Sequence, residues 1–115
     1  MMTVIDTFVA PACHQSIETL YQDEHMLLIN KPSGLLSLSG KNPLNLDSVH
    51  YRLTQMYPQI TLIHRLDLGT SGIMLLALDK ATNALLTKQF QARTVIKRYQ
   101  SIVAGHVEQD SGTIE

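Results

Sequence analysis

Apolar and polar positions along this chain fall into short alternating or apolar runs, separated by polar turns. "IETLYQ" (17–22) and "MLLIN" (26–30) read as two strands around the polar turn "DEH". The next stretch, "KPSGLLSLSGKNPLNL", is rich in Pro, Gly, Ser and Asn and reads as a long loop, of the kind that often carries function in a small domain. Asp47 is placed to cap a helix from Ser48 to Tyr57, with Val49, Leu53 and Met56 on one face and Pro58 closing it. A short strand at 60–64 leads into "HRLDLGTSG" (64–72), and "GIMLLALD" leaves that loop as a buried strand. Asp79 can cap a second helix from Lys80 to Arg93, with Ala81, Leu85, Leu86 and Phe90 as its inner face. "VIKRYQSIVAGH" (95–106) reads as a strand with Tyr99, Ile102 and Val103 buried, and "SGTIE" begins another.

At 115 residues the chain is at most one domain, large enough for a modest core. A composition of 44% hydrophobic and 17% charged residues fits a globular chain rather than a disordered one. No apolar run approaches the length of a membrane span, and the N-terminus shows no secretory signal. Cys13 is the only cysteine, so no disulfide forms within the chain, which fits a cytoplasmic location.

A net charge of −1 argues at first against a nucleic-acid partner, but its distribution changes the picture. All nine Lys and Arg lie between His25 and Gly105 against three acidic residues, a net +6, while the flanks carry −7. Lys88, Arg93, Lys97 and Arg98 cluster with no acid among them, so a basic face could meet a polyanion. The alternative is a solvated helix end and edge strand.

The chemistry-bearing candidate is the loop 64–72. Asp67 alternates with Leu66 and Leu68, so it points away from both and is expected to be only partly solvated. Arg65 shares its face, which makes a local ion pair available. Spacing alone leaves open whether Asp67 is a surface carboxylate or a working residue. Other constellations carry little: the five histidines lack the close spacing of metal ligands, "GTSG" is no phosphate-binding loop, and there is no G-x-S-x-G elbow.

"HRLDLGTSGIMLLAL" resembles the signature of the RluA family of RNA pseudouridine synthases. Upstream, "YQDEHMLLINKPSGLL" resembles the family's first motif, and downstream "KQFQARTVIKRYQSIVAGH" resembles its third. The resemblance implies an α+β fold with a mixed, largely antiparallel sheet and flanking helices, and isomerisation of uridine in ribosomal (large-subunit) or transfer RNA without metal or organic cofactor. It implies Asp67 as the essential aspartate, nucleophile or base, and Tyr99 as the tyrosine that stacks on the uracil. It also implies Arg65 at the RNA, Lys88, Arg93, Lys97 and Arg98 along the RNA path, and His64, Thr70 and Gly72 as supports of the loop.

Two departures follow from the same resemblance. Only some sixteen residues precede the first motif, so an RNA-binding module of the S4 type is not expected, and the family's later T-G-R-x-H-Q-x-R segment is absent. The chain is therefore expected to be the N-terminal portion of the catalytic domain, inactive alone, and to associate as a dimer or swapped oligomer through uncovered strands. A catalytically silent RNA-binding or structural remnant is the alternative.

Overall fold

The computed structural model describes residues 7–101. Four strands form one sheet in the order β1-β2-β4-β3, all neighbours antiparallel: β1 (Glu18–Gln22), β2 (Met26–Lys31), β3 (Thr61–Leu62) and β4 (Gly72–Ala77). The α+β expectation holds. β2 and β4 form the centre, and their register sets Leu27 opposite Leu76 and Ile29 opposite Met74. All four of these side chains are fully buried, because period-two alternation turns them to one face. Leu35, Val49, Leu53, Ile60 and Leu66 complete the core against that face.

The first helix, α1 (Val49–Thr54), is shorter than expected and is capped by Ser48 rather than Asp47. Ser48 is fully buried and its hydroxyl accepts from the Tyr51 N–H at 2.9 Å. A carboxylate at that buried position would cost far more to desolvate than a hydroxyl. Asp47 instead stays exposed and takes two bonds of 2.7 Å from the Arg52 guanidinium, which also grips the Cys13 and Gln15 carbonyls. With the helix ending at Thr54, Met56 is exposed, whereas Val49 and Leu53 are buried.

The second helix, α2 (Lys80–Gln91), starts where the sequence places it, with the Asp79 side chain accepting from the Thr82 N–H at 2.7 Å. Its roll differs. Leu86 is buried and Phe90 half-buried, but Ala81 and Leu85 face solvent. The roll is fixed by a bond from Asn83 to the Thr61 hydroxyl and by Asp79, which holds the His25 imidazole at 2.9 Å.

The His25–Asp79 pair makes a pH prediction. The Thr82 N–H and then His25 hold the Asp79 carboxyl down at about 2, while Asp79 raises the His25 pKa above 6.5. The carboxylate therefore contributes stability that is lost as pH falls from 3.8 towards 2, and the imidazolium contributes stability that is lost as pH rises through its raised value. Titration of His25 by NMR is expected to give a midpoint above 6.5 that returns towards 6.5 in Asp79→Asn; an unmoved midpoint would remove the pair from the account.

After α2 the chain turns sharply. Arg93 has φ of +58°, its N–H bonds the Phe90 carbonyl, and the Thr94 N–H bonds the Gln89 carbonyl. These two bonds form the αL helix stop that usually carries glycine. An Arg there is strained by about 1 kcal/mol, so Arg93→Gly is expected to raise the melting temperature by a few degrees in a thermal scan. A fall would mean that the arginine side chain itself holds the turn.

The expected strand from Val95 does not form over 95–101. Among the described residues β3 is an edge of only two residues, too short to seat a ladder beside it, and Ile96 and Tyr99 stand exposed. Ile102, Val103 and "SGTIE" lie outside the described residues.

Candidate active site

The loop 64–72 leaves β3 and returns as β4, and its backbone is tied down on both sides of Asp67. On one side, Leu66 donates its N–H to the Ser37 hydroxyl at 3.0 Å, and that hydroxyl donates to the Leu66 carbonyl at 2.7 Å. On the other, the Leu68 carbonyl accepts from the Gly34 N–H at 2.8 Å and from the Lys31 ammonium at 3.2 Å. The Ser33 hydroxyl reaches the Gly69 carbonyl at 2.8 Å, and the Thr70 N–H closes a turn onto the Asp67 carbonyl. The long loop after β2 is thus a clamp. Between its two grips Leu66 is buried, Leu68 half-buried, and Asp67 projects.

Lys31 is the residue that sequence reasoning missed. It continues the buried row Leu27, Ile29, Lys31 of β2, with no exposed surface, and faces Gly72 across the ladder. Its ammonium donates to the carbonyls of Leu35 (2.6 Å), Pro32 (2.9 Å) and Leu68. Three acceptors match the three protons of an ammonium group. Burial pushes its pKa down, opposed by Cys13 and by Asp67. The signal was present: a lysine on the apolar face of an alternating strand, followed by Pro and Gly. Ser33 and Ser37 carried no comparable signal.

Two glycines serve the clamp by conformation. Gly34 has φ of +90° and Gly72 of +136°, values a side chain rarely adopts, although a Cβ at either would meet open space. Their contribution is therefore the backbone path, not close packing.

Beside the loop lies a groove of about 1060 Å³ between α2, β4 and the segment after α2. Of the candidate residues, His64, Thr70, Gly72, Lys97, Arg98 and Tyr99 line it; Asp67, Arg65, Lys88 and Arg93 do not, and these four are exposed. Asp67 is more solvated than its leucine neighbours suggest. Nor does it pair with Arg65: among the described residues the ion pairs are His25–Asp79 and Arg52–Asp47. Tyr99 is 64% exposed on the groove wall, and the Lys97 ammonium sits 5.2 Å from the Phe90 ring centre.

The structure also divides the basic residues. Lys31 is buried and Arg52 is engaged with Asp47 and two carbonyls, so neither is available to a polyanion. The exposed cations are Lys41, Arg65, Lys80, Lys88, Arg93, Lys97 and Arg98. No helix among the described residues is long and apolar enough to cross a membrane.

Comparison with known proteins bears on the same loop and clamp. The chain is 50% identical over 98 residues to the dual-specificity RNA pseudouridine synthase RluA of Vibrio vulnificus, covering 85% of this chain and 39% of that protein. It is 42% identical over 104 residues to the Haemophilus influenzae RluA (90% and 48%) and 44% identical over 96 residues to that of Escherichia coli K12 (84% and 44%). The chain spans less than half the length of these curated relatives. Among solved structures, human RNA pseudouridylate synthase domain containing 4 superposes with a TM-score of 0.55 at 29% identity, covering 67% of this chain and 30% of that one. The model of the RNA pseudouridylate synthase family matches residues 25–115, from the turn before β2 onward. With clamp, loop and groove inside that span, the chain belongs to the RNA pseudouridylate synthase family.

Proposed function

We propose that this chain carries the aspartate-bearing part of an RNA pseudouridine synthase, acting in the cytoplasm on ribosomal or transfer RNA. The observation that carries this reading is the loop 64–72, gripped on both sides of Asp67 so that one exposed carboxylate is held at a fixed point beside a groove with Tyr99, Lys97 and Arg98 on its wall. A uridine must leave its stack to reach such a site. The uracil N1–C1′ bond breaks, the base turns, C5 bonds to C1′, the C5 proton passes to solvent and N1 takes up a proton, so the product is an isomer of uridine. A carboxylate can add to or stabilise the electron-poor sugar carbon in that sequence. Tyr99 presents a ring on which a uracil can stack, and Arg65 is available to the phosphates or to the gap the base leaves.

Tritium release from RNA labelled at uridine C5 tests the reading directly with the complete protein. Release is the expected result; RNA binding without release would favour a catalytically silent RNA-binding remnant.

The basic wall makes a separate prediction. RNA affinity of the complete protein is expected to fall with salt, and neutralising Lys97 and Arg98 to Gln to reduce the log–log slope by roughly 0.7 to 0.9 per lost phosphate contact. An unchanged slope would return both residues to a solvated surface.

A further inference from the structure

We propose that His64 is a positioning residue: its neutral imidazole stands in for a strand carbonyl at the root of the Asp67 loop, so protonating it loosens the loop. The inference rests on the reading of that loop as a pseudouridine synthase site. β3 pairs with β4 at two positions only, Thr61 opposite Ala77 and Leu62 opposite Leu76. One more step of that register would set Ile63 opposite Leu75, but the strand has ended. The Leu75 N–H still points to that side, and it donates to His64 Nε2 at 3.1 Å. The side chain thus supplies the acceptor that the backbone ladder no longer provides. The chain can then leave the sheet three residues before Asp67 without stranding a half-buried N–H.

The arrangement fixes the tautomer, since an accepting Nε2 requires the proton on Nδ1. The ring is held from a second side by Phe90 of α2, stacked at 4.8 Å between centres and 16° between planes. His64 therefore ties the loop root to β4 and to α2 together. The groups that act on it are Leu75 from β4, Phe90 from α2 and Lys97 from the segment after α2, while Gln89 and Arg98 line the same groove. Of these only Lys97 and Arg98 are charged, and no carboxylate faces the ring among the described residues lining the groove. Burial, then Lys97, holds the His64 pKa below 6.5. When the ring is protonated, Nε2–H and the Leu75 N–H become two donors facing each other. The folded pKa is depressed, so protonation opposes the folded loop, and the contact is lost as pH falls through that depressed value.

Two measurements test this, and the first needs no activity. In NMR of the wild-type chain at pH 8, His64 is expected to show a bare, accepting Nε2 and a protonated Nδ1. On acidification the Leu75 amide is expected to shift and lose exchange protection with the midpoint of His64. A protonated Nε2 at pH 8, or a Leu75 amide indifferent to that titration, overturns the proposal. In the second, the complete protein's kcat is followed against pH by tritium release. His64→Gln keeps an acceptor oxygen near the Nε2 position but cannot titrate, whereas His64→Phe keeps the stack and loses the acceptor. His64→Phe is expected to lower kcat by up to about 100-fold with KM little changed. His64→Gln is expected to retain the larger kcat of the two and to lose the step of the acid limb that coincides with the wild-type His64 titration. A step at that same midpoint that persists in His64→Gln, or equal loss in both variants, refutes the proposal. Absence of release from the wild type would instead sink the pseudouridine synthase reading and leave the NMR result to decide the role of His64.

Discussion

Asp67→Asn in the complete protein is expected to reduce pseudouridine formation by on the order of 10⁴-fold or more, while the melting temperature stays where it was. The two halves of this expectation come from different features. Asp67 is exposed and makes no ion pair among the described residues, so the change from carboxylate to amide leaves no buried charge without a partner. A surface substitution of that kind moves stability by no more than about 0.5 kcal/mol. The backbone on either side is held by Ser37, Gly34 and Lys31 rather than by the Asp67 side chain, so the loop keeps its path. What the amide cannot supply is a negative charge or a nucleophilic oxygen. RNA affinity, which the proposed reading assigns to the exposed cations, is expected to stay within a few-fold. Turnover near the wild-type rate in tritium release would remove Asp67 from the chemistry altogether.

The sequence was most legible where one periodicity ruled. β2 and β4 were readable because alternation and a shared core face agree, and α2 began at Asp79 because a carboxylate before an amphipathic run has a single good use there. The loop 64–72 stands out by its residue types, but the role of Asp67 rests on the family resemblance. Errors arose where two neighbouring residues could do the same work or where tertiary contacts chose between faces. Asp47 and Ser48 can both cap, and burial at the cap selected the hydroxyl. Leu85 and Leu86 are both apolar, and the contacts of Asn83 and Asp79 turned Leu86 inward. Val95 to Ser101 has strand-forming residues, but a strand needs a partner, which no local pattern reveals. Lys31 was hidden for a different reason. A lysine counts as surface by composition, and only the three carbonyls converging from Pro32, Leu35 and Leu68 make burial tolerable.

That concealment gives the other large effect. Lys31→Met keeps the length and apolar stem of the side chain, so the row with Leu27 and Ile29 stays filled. It removes the ammonium and leaves three carbonyls without their shared donor. Each bond to a charged group is worth about 1.5–3 kcal/mol, and a stranded buried acceptor costs a further 1–3. Relief of the ammonium's own desolvation, visible in its lowered pKa, offsets part of this. The net expectation is a loss of about 3 kcal/mol, or roughly 10 °C in melting temperature for a domain of this size. The damage is also directional. Leu68 is the residue after Asp67, and Lys31 joins its carbonyl to that of Leu35. Hydrogen exchange at the Gly34 and Leu66 amides, which bond across the same clamp, is expected to speed up more than exchange in β1. Tritium release by the complete protein is then expected to fall at temperatures where Lys31→Met is still folded, unlike the pattern for Asp67→Asn, where activity alone is lost. A Lys31→Met protein that melts within about 2 °C of wild type would show that the three carbonyls find water as readily as they find the ammonium, and that the clamp does not depend on this lysine.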